Sequence, residues 1–487
     1  MKLDPRQYDE MVSRASPPSP VVRDCAWAFL VGGAICTLGE ALRQFFLIWY
    51  DKTLAGTLTS IALIFLSAIF TLPGWYQKLA AKAGAGTLVP ITGFANSVVS
   101  PAIEFKAEGW VTGVGARIFG IAGPVIAFGT LASFVWGVLY WLLGKVGLPM
   151  TRRGDTLLFD APPTVAAWAA AGGKKESEGP LASAFDFVTQ DAAFGEQGCE
   201  NWEQAESLLQ RKAVELCLRK ADIPRSKVDI AFAGDLQAQC TASNYTMREL
   251  GIPFAGVYGA CSTMAETLGL AAVFAAGGMA ERVLALTSSH FCAAERQFRT
   301  PLEYGAKRTP TAQWTATAAG ACLVRAHGGA GVPVLSVTFG RVQDFAVHDI
   351  NNMGAAMMPA AASTLLRYFS ATGTSPQDFD AIFTGDLGEV GTALLHEQMA
   401  KEGLPLDNHK DCGCLLYDTN SQNVQAGGSG AGCSAAVLCG KILPMLAAGQ
   451  LRRVLFLATG ALMSQTTFLQ GESIPGIAHC VELGGAV

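Results

Sequence analysis

The apolar positions of this chain fall into two regimes, with the change near residue 146. Before it they run in blocks long enough to cross a bilayer; after it they come in short runs separated by turn residues. Residues 25–50 (CAWAFLVGGAICTLGEALRQFFLIWY) and 53–75 are nearly continuous apolar stretches, sufficient for a hydrocarbon core of roughly 30 Å. Trp49 and Tyr50 close the first as interface residues would. Segment 118–143 is again strongly apolar. Segment 86–105 (GTLVPITGFANSVVSPAIEF) is weaker, interrupted by Pro90 and Pro101, a pattern tolerated at membrane depth where it lines a cavity. The pattern predicts a polar lead over 1–24 and a helical transmembrane domain of about four segments over 25–146. Its candidate permeation-path residues are Pro90, Asn96, Pro101 and Glu104, with Glu40 and Arg43, which lie three apart on one helix and can pair.

Beyond a junction over 147–185 the period changes. Residues 201–223 form an amphipathic helix, with Ala205, Leu208, Leu209, Ala213 and Leu216 on one face and charges elsewhere. The apolar run 228–236 ends in Gly234-Asp235-Leu236 and is echoed by 379–387, which ends in Gly385-Asp386-Leu387. Residues 262–284 align without a gap on 433–455, each helix leading through Arg-Val-Leu into another strand. This predicts an α/β domain over 156–487 built of two copies of one βαβ-type unit, about 186–330 and 331–487. In that register Cys261 falls opposite Gly432, so only the first copy carries a thiol at the turn.

Tyr258-Gly259-Ala260-Cys261-Ser262-Thr263-Met264 places this thiol between a strand end and a helix start. There, unpaired amides and the helix dipole stabilise a thiolate or hold a ligand's carboxylate. Cys261, Ser262 and Thr263 are therefore candidate site residues, and so are Asp235 and Asp386 in the repeated turns and Ser429 in the Gly428-Ser429-Gly430 turn. His290 and His479 stand where they can approach from other strand ends, and Arg296, Arg299, Lys307 and Arg308 form a basic loop after His290. The alternative for each is structural: a small buried thiol, aspartates bonding their own turns, histidines in the core.

Composition narrows the class. Half of the residues are hydrophobic, which is high for a wholly soluble protein and agrees with a membrane part. Residues 1–150 hold 11 Lys and Arg against 8 Asp and Glu, leaving 24 against 32 for the rest. Arg14 and Arg23 precede the first segment, Lys78 and Lys82 follow the second, and Lys145, Arg152 and Arg153 follow the fourth; if all lie in the cytoplasm, the third segment crosses and the α/β domain is cytoplasmic. No basic stripe interleaved with aromatics points to nucleic acid. The thirteen cysteines contain no pair of CxxC motifs, and no metal site is expected.

Two stretches carry a resemblance to known families. Residues 1 to about 150, with AFLVGGAIC (28–36) and VPITGFANSVVSPAIEFKAEG (89–109), resemble the stage V sporulation protein AC family. Residues from about 156 onward resemble the stage V sporulation protein AD family, through AGDLQAQCTASNY, YGACSTM, TSSHFCAAERQFRTPLEYG, NNMGAAMMPAAAST, FTGDLGEVG and AGGSGAGCSAAV. The resemblance implies a multi-pass protein of the spore inner membrane, acting with other SpoVA-type membrane proteins and membrane lipid. It implies movement of dipicolinic acid as its calcium chelate during sporulation and germination, with no cofactor. It also implies a thiolase-like fold in which Cys261 matches the nucleophile. Related ketosynthases place a His in the second Gly-Asp-Leu turn and an Asn in the next; this chain has Gly385-Asp386 and Gly428-Ser429-Gly430 there. The expectation is a dipicolinate-binding pocket without catalysis, its planar dicarboxylate met by Arg forks and helix-start amides. The alternatives are a membrane-tethered acyltransferase using Cys261, and a scaffold with a closed pocket.

Overall fold

In the computed structural model the first apolar block is one helix, α1 (Val21–Phe46), which starts four residues before that block and leaves Trp49 and Tyr50 in the turn that follows it. The structure describes residues 11–12, 14, 20–144, 150–191, 194–298, 301–302, 307–326 and 329–485, in two units, Met1–Val146 and Gly147–Val487. In the first unit α2 (Lys52–Thr71) starts at Asp51, whose carboxylate accepts the Leu54 N–H at 2.8 Å. It is followed by α3 (Trp75–Ala83), α4 (Ala85–Leu88), α5 (Ile91–Glu104) and, after a π-helical turn over Trp110–Gly115, α6 (Ala116–Gly144).

Among the described residues, α1 and α2 are long and apolar enough to cross a membrane; Trp110–Gly120 with Ala122–Gly137, bent by 49°, makes a third if the pair is one span. Segment 86–105 does not form a spanning helix. Pro90 takes an extended ψ of 159° and breaks it into α4 and α5, and the 14 residues of α5 rise only about 21 Å. The joints within this unit are polar: Ser67 donates to the Thr92 carbonyl at 2.6 Å, Tyr76 to that of Thr87 at 2.8 Å, and Thr71 to the Asn96 side chain at 3.0 Å.

The second unit is built on two five-stranded sheets of the same order. Its strands of three residues or more are β1 (Met150–Arg153), β2 (Thr156–Phe159), β3 (Thr164–Gly172), β4 (Ile230–Gly234), β5 (Phe254–Gly256), β6 (Arg282–Ser289), β7 (Ala318–Arg325), β8 (Val332–Thr338), β9 (Ala381–Thr384), β10 (His409–Asp411), β11 (Arg453–Ala461) and β12 (Gly476–Gly484). One sheet runs β5-β4-β6-β7-β3 and the other β10-β9-β11-β12-β8, with the same parallel and antiparallel pairings in the same places. They join edge to edge where Val332 and Pro333 of β8 pair with Val165 and Thr164 of β3. The duplication read from the Gly-Asp-Leu echo is thus a duplication of topology.

The first half begins earlier than residue 186. The stretch 147–185 is not a linker, because it holds β3, the inner edge strand of the first sheet, and the β1–β2 hairpin, whose β2 adds to β8. The strand TVAAWAAAG was illegible because both of its faces are covered, which removes the alternation, and alanine carries no strand preference.

Helices complete five layers. Between the sheets lie α7 (Thr263–Ala276) and α8 (Ala431–Val437), rich in Ala and Gly, which lets backbones approach closely. The outer faces are covered by α9 (Trp202–Lys220) on the first sheet and α10 (Met353–Thr372) on the second. The polar side chains of α9 are not all outside: Glu206 and Gln210 are fully buried on its inner face, bonded to Gln237, Ser288 and Ser243.

Candidate ligand site

Cys261 sits in a tight turn, Ala260–Ser262, between β5 and α7. Ala260 takes a left-handed φ of 50°, and β11 presses on the turn so closely that a Cβ on Gly460 would lie 2.1 Å from the Gly259 carbonyl oxygen. The fold therefore holds the thiol rigidly. Ser262 and Thr263 are spent on that turn, donating to the Gly259 and Ala260 carbonyls at 2.6 and 2.7 Å, and neither lines the cavity beside Cys261. The matching turn of the second half has no room for a side chain. A Cβ on Gly432 would meet the Ala318 carbonyl oxygen at 2.2 Å, which explains in steric terms why only one copy bears a thiol.

The partner of the thiol is Asp386. The second Gly-Asp-Leu turn ends β9 and points this buried carboxyl into the site, where it accepts from Gly430 N at 2.9 Å, Thr459 Oγ1 at 2.9 Å and Ser429 Oγ at 3.1 Å, and hydrogen-bonds the Cys261 thiol. Burial pushes the Asp386 carboxyl up to about 6. Burial first, and the Asp386 charge second, push the Cys261 thiol well above its ordinary range. Near neutral pH the thiol is protonated and donates to a carboxylate. That arrangement is opposite in sign to a Cys–His pair, where a cation favours the thiolate.

Above the pair opens a cavity of about 370 Å³. Cys261 and Ser429 form its floor, Lys307 and Arg308 a cationic side, and Met353, Met357 and Met463 an apolar wall. Arg308 bonds Glu295 at 3.4 Å and the Gln313 carbonyl, with Trp314 5.2 Å from its guanidinium, whereas Lys307 has no ion pair among the described residues. Gln313, not singled out by the sequence, ties the floor together: its Nε2 donates to the Asp386 and Gly428 carbonyls at 2.7 and 2.8 Å, and its buried Oε1 has no partner among the described residues. Its position five residues after Arg308 in a basic loop was the only available signal.

Several candidates lie elsewhere. Asp235, at the first Gly-Asp-Leu turn, is buried in its own loop, accepting Gln237 N at 2.9 Å, Ser243 N at 2.8 Å and Ser243 Oγ at 2.7 Å. His290 is buried at the start of the helix Phe291–Glu295, where its Nδ1 accepts the Ala293 N–H at 3.4 Å. His479, on β12, accepts the Gly340 N–H at 3.1 Å and packs on Phe339; burial lowers it to about 4. Arg296 pairs with Glu203 and lies over Trp202. None of these four lines the cavity, since each is drawn off by a nearer partner or a core strand position. Arg299 lies outside the described residues. Among the described residues no histidine lines the cavity and no cluster of three metal-ligating side chains occurs.

In the first unit Glu40 and Arg43 do pair, by bonds of 2.8 and 2.7 Å, joined by Gln44 at 2.7 Å. Asn96 faces Thr71, Pro90 starts α5, Pro101 lies buried within it and the exposed Glu104 ends it.

Fold and site together define a membrane protein whose duplicated α/β unit carries a rigid Cys–Asp pair, its thiol opening into a small cavity. Residues 153–484 match the family described as Stage V sporulation protein AD (SpoVAD), and residues 24–139 the SpoVAC/SpoVAEB sporulation membrane protein family. Stage V sporulation protein AD of Bacillus subtilis (strain 168) is 42% identical over 338 residues, covering 68% of this chain and 98% of the relative. Stage V sporulation protein AC of the same organism is 42% identical over 141 residues, 28% of this chain and 94% of the relative. Among solved structures, 3-oxoacyl-[acyl-carrier-protein] synthase III from Aquifex aeolicus VF5 is 14% identical, covering 66% of this chain and 99% of that one with a TM-score of 0.43. A single-residue variant of Xanthomonas campestris OleA is 12% identical, with 66% and 98% covered and a TM-score of 0.43. The chain belongs to the stage V sporulation protein AD family and carries, ahead of that part, a domain of the SpoVAC/SpoVAEB sporulation membrane family.

Proposed function

We propose that this protein is a component of the spore inner-membrane machinery that moves dipicolinic acid, as its calcium chelate, during sporulation and germination. In this reading the α/β unit lies in the cytoplasm and binds dipicolinate in the cavity above Cys261 without catalysis. The observation that carries it is the chemistry of the cavity: a cationic side at Lys307 and Arg308, and a floor where the thiol meets a carboxyl in place of an imidazole. A thiol buried against a carboxylate is held protonated, with no cation beside it among the described residues to favour the thiolate, which leaves the cavity suited to holding a ligand rather than acylating. The methionine wall offers a polarisable surface to a flat ring, and Arg308 and Lys307 offer donors to its carboxylates. Calcium travels with the ligand; membrane lipid and other SpoVA-type membrane proteins complete the path, in which Glu40, Arg43, Pro90, Asn96, Pro101 and Glu104 take part.

The test is calorimetric titration of dipicolinate, with and without calcium, into the full chain in detergent micelles. The expected result is saturable binding that Cys261→Trp abolishes and Lys307→Gln weakens about tenfold. Absence of binding, together with covalent capture of an acyl-CoA at Cys261 that disappears in Cys261→Ser, overturns the reading in favour of an acyltransferase.

A further inference from the structure

The second unit carries another concavity, of about 800 Å³, that shares no lining residue with the cavity at Cys261. It lies between the tip of the β1–β2 hairpin, the segment after β8 and one face of α10, and its polar side holds Arg153, Arg341 and Arg367. A single acidic residue lines it. Asp155, with its side chain only 16% exposed, accepts from Arg341 at 2.9 Å and from Arg367 at 3.2 Å. One carboxylate is thus shared by two guanidinium groups, and Arg153 has no ion pair among the described residues. Three positive charges face one negative charge, and two are left unmatched.

This arrangement does more than decorate a surface. Asp155 fixes both guanidinium groups while using one N–H of each, and Ser363 bonds the Arg367 Nε at 3.4 Å, so the remaining donors are held in place before any ligand arrives. Paired forks with two unmatched charges fit a phosphate, whose charge near neutral pH approaches minus two and whose oxygens accept bidentate bonds. The opposite wall is apolar, made by Met358, Pro359, Ala362 and Leu366 with the exposed Phe345 at its side. We propose that the Arg153, Arg341 and Arg367 groove is a binding site for a phosphate-bearing anion with an apolar body. Two sources share that chemistry, the headgroup of an anionic phospholipid and a soluble phosphate ester.

The experiment titrates the full chain in neutral detergent micelles with dihexanoyl phosphatidic acid and, separately, with inorganic phosphate. Saturable binding of the lipid analogue is expected. Arg341→Gln/Arg367→Gln weakens it about tenfold or more, and Asp155→Asn, which removes the competing charge while its amide oxygen still holds one guanidinium in place, tightens it several-fold. Because the two variants act in opposite directions, a loss of fold does not imitate the result. Dipicolinate affinity stays unchanged in both. Binding of the lipid analogue alone assigns the site to a phospholipid headgroup; comparable binding of inorganic phosphate assigns it to soluble phosphate esters. Lack of saturable binding of both probes, or binding that neither variant alters, overturns the proposal.

Discussion

Replacing Asp386 by Asn tests the reading of the Cys261 pair most directly. Deprotonating the thiol beside the Asp386 carboxylate places two negative charges in contact inside the protein. At about 4 Å and an effective dielectric constant of about 20 their repulsion is about 4 kcal/mol. That corresponds to about three pH units in the thiol's titration. Asp386→Asn keeps the shape and removes the charge, so the thiol titrates about three units lower, although burial, the larger cause, still holds it above a free cysteine. The measurement is the rate of alkylation of Cys261 by iodoacetamide between pH 7 and 9, followed by peptide mass mapping of the folded protein. A thousandfold gain in thiolate is partly offset because nucleophilicity falls with pKa, which leaves a rate increase of about 50-fold. An unchanged rate in a folded variant, or a wild-type thiol as reactive at pH 7 as free cysteine, would refute the argument.

Other consequences follow from the same geometry. The Asp386 carboxyl rises from its ordinary 3.8 to about 6, so its contribution to stability is fully present below pH 3.8 and is lost as pH climbs through 6. Relative to Asp386→Asn, the wild type loses about 2 kcal/mol between pH 4 and pH 7; parallel melting curves across that range exclude the shift. His409 behaves in the opposite sense. Half-buried between Thr384, which it bonds at 2.8 Å, and His396, and lowered to about 3 by desolvation and then by His396, it contributes stability above pH 6.5 that drains away as pH falls towards 3. His409→Gln flattens the acid side of the melting-temperature profile, and an unaltered slope counts against it. Gly432→Ala forces a Cβ onto the Ala318 carbonyl and costs about 3 kcal/mol or more, read as a lowered unfolding midpoint, whereas Gly403→Ala, at a site with nothing within 4 Å but a positive φ of 75°, costs about 1 kcal/mol.

What the sequence determined by itself was set by local chemistry and repetition. The apolar blocks that became α1 and α2 announce themselves because a bilayer demands length from each helix independently of its neighbours. The two Gly-Asp-Leu turns and the gapless match of the central helices reveal the duplication because a repeated unit repeats its own turn chemistry. The pairing of Glu40 with Arg43 is likewise a one-helix fact. Tertiary structure decided what depends on long-range neighbours. Strand β3 was hidden because burial on both faces erases the period. Segment 86–105 fell short of a span because Pro90 cut it. Asp235 and Asp386 occupy equivalent turns, yet only Asp386 reaches the thiol, because the two sheets bring the second turn against the first copy's Cys261, whereas Asp235 folds back on Ser243. Sequence spacing places a side chain on an element; which of two identical turns meets the thiol is decided by how the halves pack, and no local signal carries that.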